Sequence, residues 1–160
     1  MGTYLNPGNS GFTSIRNGIY VDKSGLIGLV NQTLNTPRRL ICISRPRRFG
    51  KSFAAKMLCA YYDKSCDSAE LFKDLAISNY VEYQENLNRY DVIYWDMTGI
   101  IGEAAASDRV AYVKRNVVRE LKEQYPQLEA VEGFAATLAN AVEIAGNKFI
   151  VCIMGLKPSP

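Results

Sequence analysis

Histidine is missing from this 160-residue chain altogether. That removes the commonest general base and the commonest metal ligand, so any chemistry falls to carboxylates, lysine, arginine, hydroxyls, thiols or a borrowed metal ion. Charge of one sign is also scarce. Lys plus Arg is 19 and Asp plus Glu is 16, a net +3, too small by itself to argue for nucleic acid. No apolar run is long enough to span a membrane. The opening MGTYLNPGNS lacks the basic-then-hydrophobic order of a secretory signal, and Asn6 stands where a myristoylation signal wants Ser or Thr. The four cysteines, Cys42, Cys59, Cys66 and Cys152, include no C-x-x-C pair, and Cys42 and Cys152 sit inside apolar runs as small hydrophobes. These absences lead to the expectation of a soluble, cytoplasmic protein with neither a disulfide framework nor a structural metal.

What is present describes an ordinary globular chain. Hydrophobic content of 48% with 22% charged residues argues against disorder, and the length suffices for one domain with a real core. There is no internal repeat and no low-complexity segment. Residues 1–18, rich in Gly, Asn, Ser and Thr, read as an irregular arm. Leu26, Ile27, Val30 and Leu34 recur at helical spacing, with Asp22 or Ser24 placed to cap the start and Asn35-Thr36-Pro37 to end it. Three apolar runs, at 40–44, 91–97 and 148–154, read as buried strands. Between them lie helical patterns: Phe53, Ala54, Met57, Leu58 and Tyr61; a short one around Leu71, Phe72 and Leu75; Val110, Val113, Val117 and Leu121 behind Ser107 or Asp108; and Phe134, Leu138, Ala141, Val142 and Ala145, stopped by Gly146. Strands alternating with helices predict an α/β fold, a parallel sheet with helices on its faces.

The chemistry concentrates in LICISRPRRFGKSFAAKML, residues 40–58. Its end matches G-x-x-x-x-G-K-[ST], while Arg45 occupies the first glycine position. Gly50 lets the backbone approach phosphates closely, and a helix starting near Lys51 offers unpaired N–H groups and the positive end of its dipole. Lys51 is placed to reach β- and γ-phosphate oxygens, and the Ser52 hydroxyl to ligate Mg²⁺. Pro46 substitutes a fixed turn for flexibility, and Arg45, Arg47 and Arg48 are available to anionic oxygens. The plainer alternative is a basic, solvated strand-to-helix turn. The apolar run before it and the helical pattern after it favour the phosphate reading.

Four blocks, YVDKSGLI, LICISRPRRFGKS, ELFKDLAI and DVIYWDMTG, resemble in order and spacing the bacterial AAA-ATPase-like family, over roughly residues 12 to 154. In that family Arg-Pro-Arg-Arg-Phe-Gly-Lys-Ser is the usual phosphate loop, and a PD-(D/E)XK nuclease-like domain commonly follows. The resemblance implies a P-loop NTPase-like fold over residues 19–154, with 155–160 as a tail, and ATP with Mg²⁺ as the ligands. It implies nucleotide contacts from Arg47, Arg48, Phe49, Gly50, Lys51 and Ser52, with Ser52 also facing the metal. It also implies that YVDKSGLI lies near the loop, where Tyr20 or Val21 would cover an adenine ring.

The resemblance breaks at the last strand. The family places Asp-Glu after the strand corresponding to KFIVCI, to hold Mg²⁺ and orient water. Here Met154-Gly155-Leu156 follows, and no carboxylate comes after Lys148. Asp96, at the end of DVIYWDM, is the replacement candidate, against the plainer reading that it bonds the strand end; Asp22 and Glu103 are weaker ones. The expectation is therefore nucleotide binding with doubtful hydrolysis, in a sheet left incomplete by truncation of a longer ATPase. An incomplete sheet predicts self-association, a protein partner, or closure with KFIVCIM directly beside RLICIS. The competing readings are a module that binds nucleic-acid phosphates through Arg45, Arg47, Arg48 and Lys51, extended by Arg38 and Arg39, and a partly folded fragment.

Overall fold

The computed structural model of the chain describes residues 2–44, 49–97, 100, 105, 107–129 and 133–155. Two compact units divide it, one formed by Gly8–Arg89 and the other by Met1–Pro7 with Tyr90–Pro160. Among the described residues no helix is long and apolar enough to cross a membrane.

Gly8–Arg89 is helical. Helix α1 spans Ser10–Arg16 and buries Phe12 and Ile15, three positions apart on one face. Where the composition suggested an irregular arm, this segment is therefore ordered. Its first turn closes on the Asn9 carbonyl, which accepts from Thr13 N. Helix α2 spans Gly25–Thr33. Ser24 is its N-cap residue, but its hydroxyl accepts from Ile77 N instead of from the first turn of α2. Helix α3 spans Lys51–Tyr62, and two short helices follow, α4 at Ala69–Phe72 and α5 at Tyr83–Asn86, with a 3-10 turn at Ala76–Asn79 between them.

Aromatic rings fill the centre of this unit. Phe12 stacks on Phe72 at 5.1 Å between centroids, and Tyr61 meets Phe72 edge-on at 5.4 Å. Each such side chain contributes roughly 1.5–3 kcal/mol by leaving water. The buried hydroxyls are all bonded: Tyr61 donates to the Tyr83 carbonyl at 2.7 Å and Tyr62 to Asn31 Oδ1 at 2.7 Å. The carbonyls at the end of α3 are closed by Asn88, whose amide donates to Ala60 O and Asp63 O.

The second unit holds the sheet. Strand β1 spans Asp91–Asp96; helices α6, Arg109–Gln124, and α7, Phe134–Ala145, follow; strand β2 spans Phe149–Met154. The strands are parallel, with Asp91 opposite Phe149 and Asp96 opposite Met154. Val113, Val117 and Leu121 of α6 and Ala141 of α7 pack with Ile93 in one buried cluster. Val110, expected on that inner face, is exposed, because the helix has only begun there. Gly146 ends α7 in the left-handed conformation at φ 61°, as its place after the last apolar residue predicted. On the other edge of β1, Leu5 pairs antiparallel with Ile93, and Glu120 of α6 accepts from the backbone N–H groups of Thr3, Tyr4 and Leu5.

The architecture is thus α/β, with a small parallel sheet and flanking helices, but two of the three expected strands form it. KFIVCIM pairs with DVIYWD and not with RLICIS. Residues 40–44 lie outside any ladder, and Leu40, Ile41 and Ile43 are 92%, 44% and 41% exposed. An apolar run becomes a strand only when a neighbouring strand takes its N–H and C=O groups. Among the described residues of Gly8–Arg89, no strand lies alongside.

Candidate nucleotide site

Gly50 turns the chain into α3. It is the N-cap residue, at φ 72° and ψ 26° in the left-handed region, and its carbonyl accepts the first helical bond, from Ala54 N at 2.9 Å. Lys51 and Ser52 form the first turn of the helix, the end at which a helix turns its N–H groups outward. Ser52 is exposed and Lys51 half-buried, with no acidic residue in that turn. The positive end of a 12-residue helix is therefore presented without a carboxylate of its own. Arg45, Pro46, Arg47, Arg48 and Glu103 lie outside the described residues.

Against this corner lies a cavity of about 180 Å³. Ile19, Tyr20, Val21 and Lys23 line it from the segment before α2, and Gly50, Phe53, Ala54 and Met57 from α3 and its cap. The walls are mainly apolar, and the loop glycine is part of them. Tyr20, named from sequence, thus shares one cavity with Gly50. Its ring meets Phe12 edge-on at 5.4 Å, the Arg16 guanidinium lies over it at 5.5 Å, and its hydroxyl contacts Met57 Sδ at 3.3 Å. Burial pushes the Tyr20 phenol up, and Asp22 adds to this, against the Lys23 N–H bond and the charge of Arg16.

The segment that supplies Tyr20 is tied down residue by residue. Lys23 N donates to the Tyr20 hydroxyl at 3.3 Å. Asp22 accepts from Ser24 N at 2.7 Å and from Ala76 N at 2.8 Å. Partial burial works against its charge, but the bonds from Ala76 and Ser24 and the charge of Arg16 outweigh it, holding Asp22 below the ordinary carboxylate range. Asp22 therefore fastens the segment.

Lys23 carries information that the sequence reading passed over. Its ammonium donates to the Phe49 carbonyl at 2.9 Å, one residue before Gly50. A Cβ built on Gly50 would lie 2.9 Å from that same nitrogen. The signal was a lysine inside YVDKSGLI, the very block placed near the loop by resemblance.

Asp96, half-buried at the C-terminal end of β1, accepts from the Tyr94 hydroxyl at 3.4 Å. Among the described residues no group of three or more His, Cys, Asp or Glu is arranged to hold a metal. A family model described as a predicted AAA-ATPase matches residues 8–154. No curated protein and no solved structure matches the chain.

Proposed function

Because the chain belongs to the predicted AAA-ATPase family, we propose that Gly8–Arg89 binds ATP with Mg²⁺ at the Gly50 corner. The observation that carries this reading is the cavity of about 180 Å³ that opens on Gly50 itself. It supplies apolar walls for a base beside a helix start suited to phosphates. In this reading the base lies among Tyr20, Val21, Phe53 and Met57, and the α3 N–H groups face the phosphate chain. Lys51 neutralises β- and γ-oxygens from the first turn, and Arg47 and Arg48 add charge from the loop. The Ser52 hydroxyl would hold the metal, which when bound would draw charge from the phosphate oxygens.

The family also uses nucleotide hydrolysis, and here the reading differs. β2 ends at Met154 and Gly155 follows, with no acid where the resemblance calls for Asp-Glu. We read the site as one that holds ATP and turns it over slowly.

Calorimetry on the full chain tests the binding. Wild type is expected to bind ATP–Mg²⁺, and Lys51→Ala to lose it by a hundredfold or more, on the order of the 2–4 kcal/mol that one buried phosphate-facing charge supplies. Equal affinities in the two proteins overturn the proposal.

A further inference from the structure

We propose that Lys23 is a positioning residue for the phosphate loop: by holding the Phe49 carbonyl, its ammonium aims the Gly50 N–H. The inference rests on the nucleotide reading above and deepens it.

The Phe49 carbonyl and the Gly50 N–H belong to one planar trans unit, so they point in opposite directions. Whatever holds the carbonyl decides where the N–H faces. Gly50 is a residue at which this plane can turn over cheaply, because glycine populates both signs of φ. Left alone, the corner would sample both orientations, and only one offers its N–H to an anion. Lys23 Nζ, 2.9 Å from the Phe49 oxygen, selects one of them.

The tether has a fixed origin. Asp22, immediately before Lys23, is bonded to Ser24 N and Ala76 N, and the Ser24 hydroxyl, immediately after it, to Ile77 N. Lys23 N itself donates to the Tyr20 hydroxyl. The backbone under the lysine is thus held on both sides, and the side chain spans from it to the loop. Lys23 also lines the cavity with Tyr20 and Gly50. One side chain therefore links the wall that would face the base to the peptide that would face the phosphates. A charge-assisted bond to a carbonyl is strong enough to bias a two-way choice, and a selected orientation lowers what binding must spend on ordering.

Positioning and direct contact predict different patterns. A residue that aims Gly50 N–H affects every ligand with a phosphate chain alike. A residue that touches the γ-phosphate affects ATP far more than ADP. A residue that only props the cavity affects adenosine as well.

The test measures ATP and ADP by calorimetry and adenosine by saturation-transfer NMR, on full-length wild type, Lys23→Met, Lys23→Arg and Lys51→Ala. Lys23→Met is expected to weaken ATP and ADP by the same factor, on the order of tenfold for one charge-assisted bond, and to leave adenosine unchanged. Lys23→Arg, which still donates to a carbonyl, is expected to recover most of the loss. Wild-type affinity in Lys23→Met, a loss confined to ATP, or an equal loss of adenosine overturns the inference. If Lys51→Ala still loses ATP in those cases, the nucleotide reading survives; if wild type binds no ATP, both fall.

Discussion

A methyl group added at Gly50 meets two obstacles of unequal height. The first is the backbone: φ is 72°, where an L-residue pays about 1–2 kcal/mol. The second is the Lys23 ammonium, 2.9 Å from the new Cβ, but this is the tip of a flexible side chain and moves aside at little cost. Strain therefore decides. Gly50→Ala is expected to lower stability by about 1–2 kcal/mol in denaturant unfolding and to weaken ATP by displacing the Phe49–Gly50 peptide. A variant as stable as wild type would show that the corner relaxes without strain. The sequence already pointed to Gly50 through Gly-Lys-Ser. It pointed less well to Lys23, because a lysine beside an aspartate in an exposed segment looks like any solvated pair. Its partner is a backbone carbonyl 26 positions away, and no residue pattern announces such a bond.

At the scale of elements, the segment 19–24 depends on a charge. Asp22 accepts from Ser24 N and Ala76 N, and these bonds hold its pKa below the ordinary value. A depressed carboxylate contributes stability that is fully present above its unfolded pKa, about 3.9, and that is lost as pH falls through the lower folded value. Thermal melts of wild type and Asp22→Asn are therefore expected to differ near neutral pH and to converge as pH falls below about 4. A difference that stayed constant down to strongly acid pH would exclude the carboxylate's charge as the cause. Helices α2, α3, α6 and α7 were legible from the spacing of their apolar residues, and in α6 that spacing marks the buried face, as Val113, Val117 and Leu121 show. In α3 the buried face is instead Ala55, Met57, Cys59, Ala60, Tyr61 and Tyr62, and Phe53, expected inside, is exposed. Helix α1 was not, since Phe12 and Ile15 are its only buried residues and its other positions are Ser, Gly, Thr and Arg. Its order comes from Phe12 stacking on Phe72 and meeting Tyr20, contacts that spacing alone cannot reveal.

For the molecule as a whole, the missing acid bears on turnover. Phosphoryl transfer draws nearly all its acceleration from positioned charge, and the metal- and water-orienting carboxylates are a large share of it. β2 ends at Met154 with Gly155 after it, and Asp96 accepts from the Tyr94 hydroxyl. Phosphate release by the full chain is expected to fall well below the 1–100 s⁻¹ typical of kinases. Steady release at such rates, lost in Lys51→Ala, would contradict this, and Asp96→Asn would then identify or clear the remaining acid.

The residues alone pointed to Gly50, Lys51 and Ser52 as the positions proposed for phosphate chemistry, because Gly-Lys-Ser before a helical pattern needs no distant partner to be recognised. They also determined the helices with strong periodicity and the α/β class. Strand pairing was decided only in three dimensions. RLICIS, DVIYWD and KFIVCIM look alike as sequence, yet β1 and β2 pair while residues 40–44 remain outside any ladder. A strand is completed by hydrogen bonds to a neighbour, and no apolar run names its neighbour. The cavity beside Gly50 was decided the same way: Tyr20 and Met57 are 37 positions apart and meet only because the segment before α2 lies along α3.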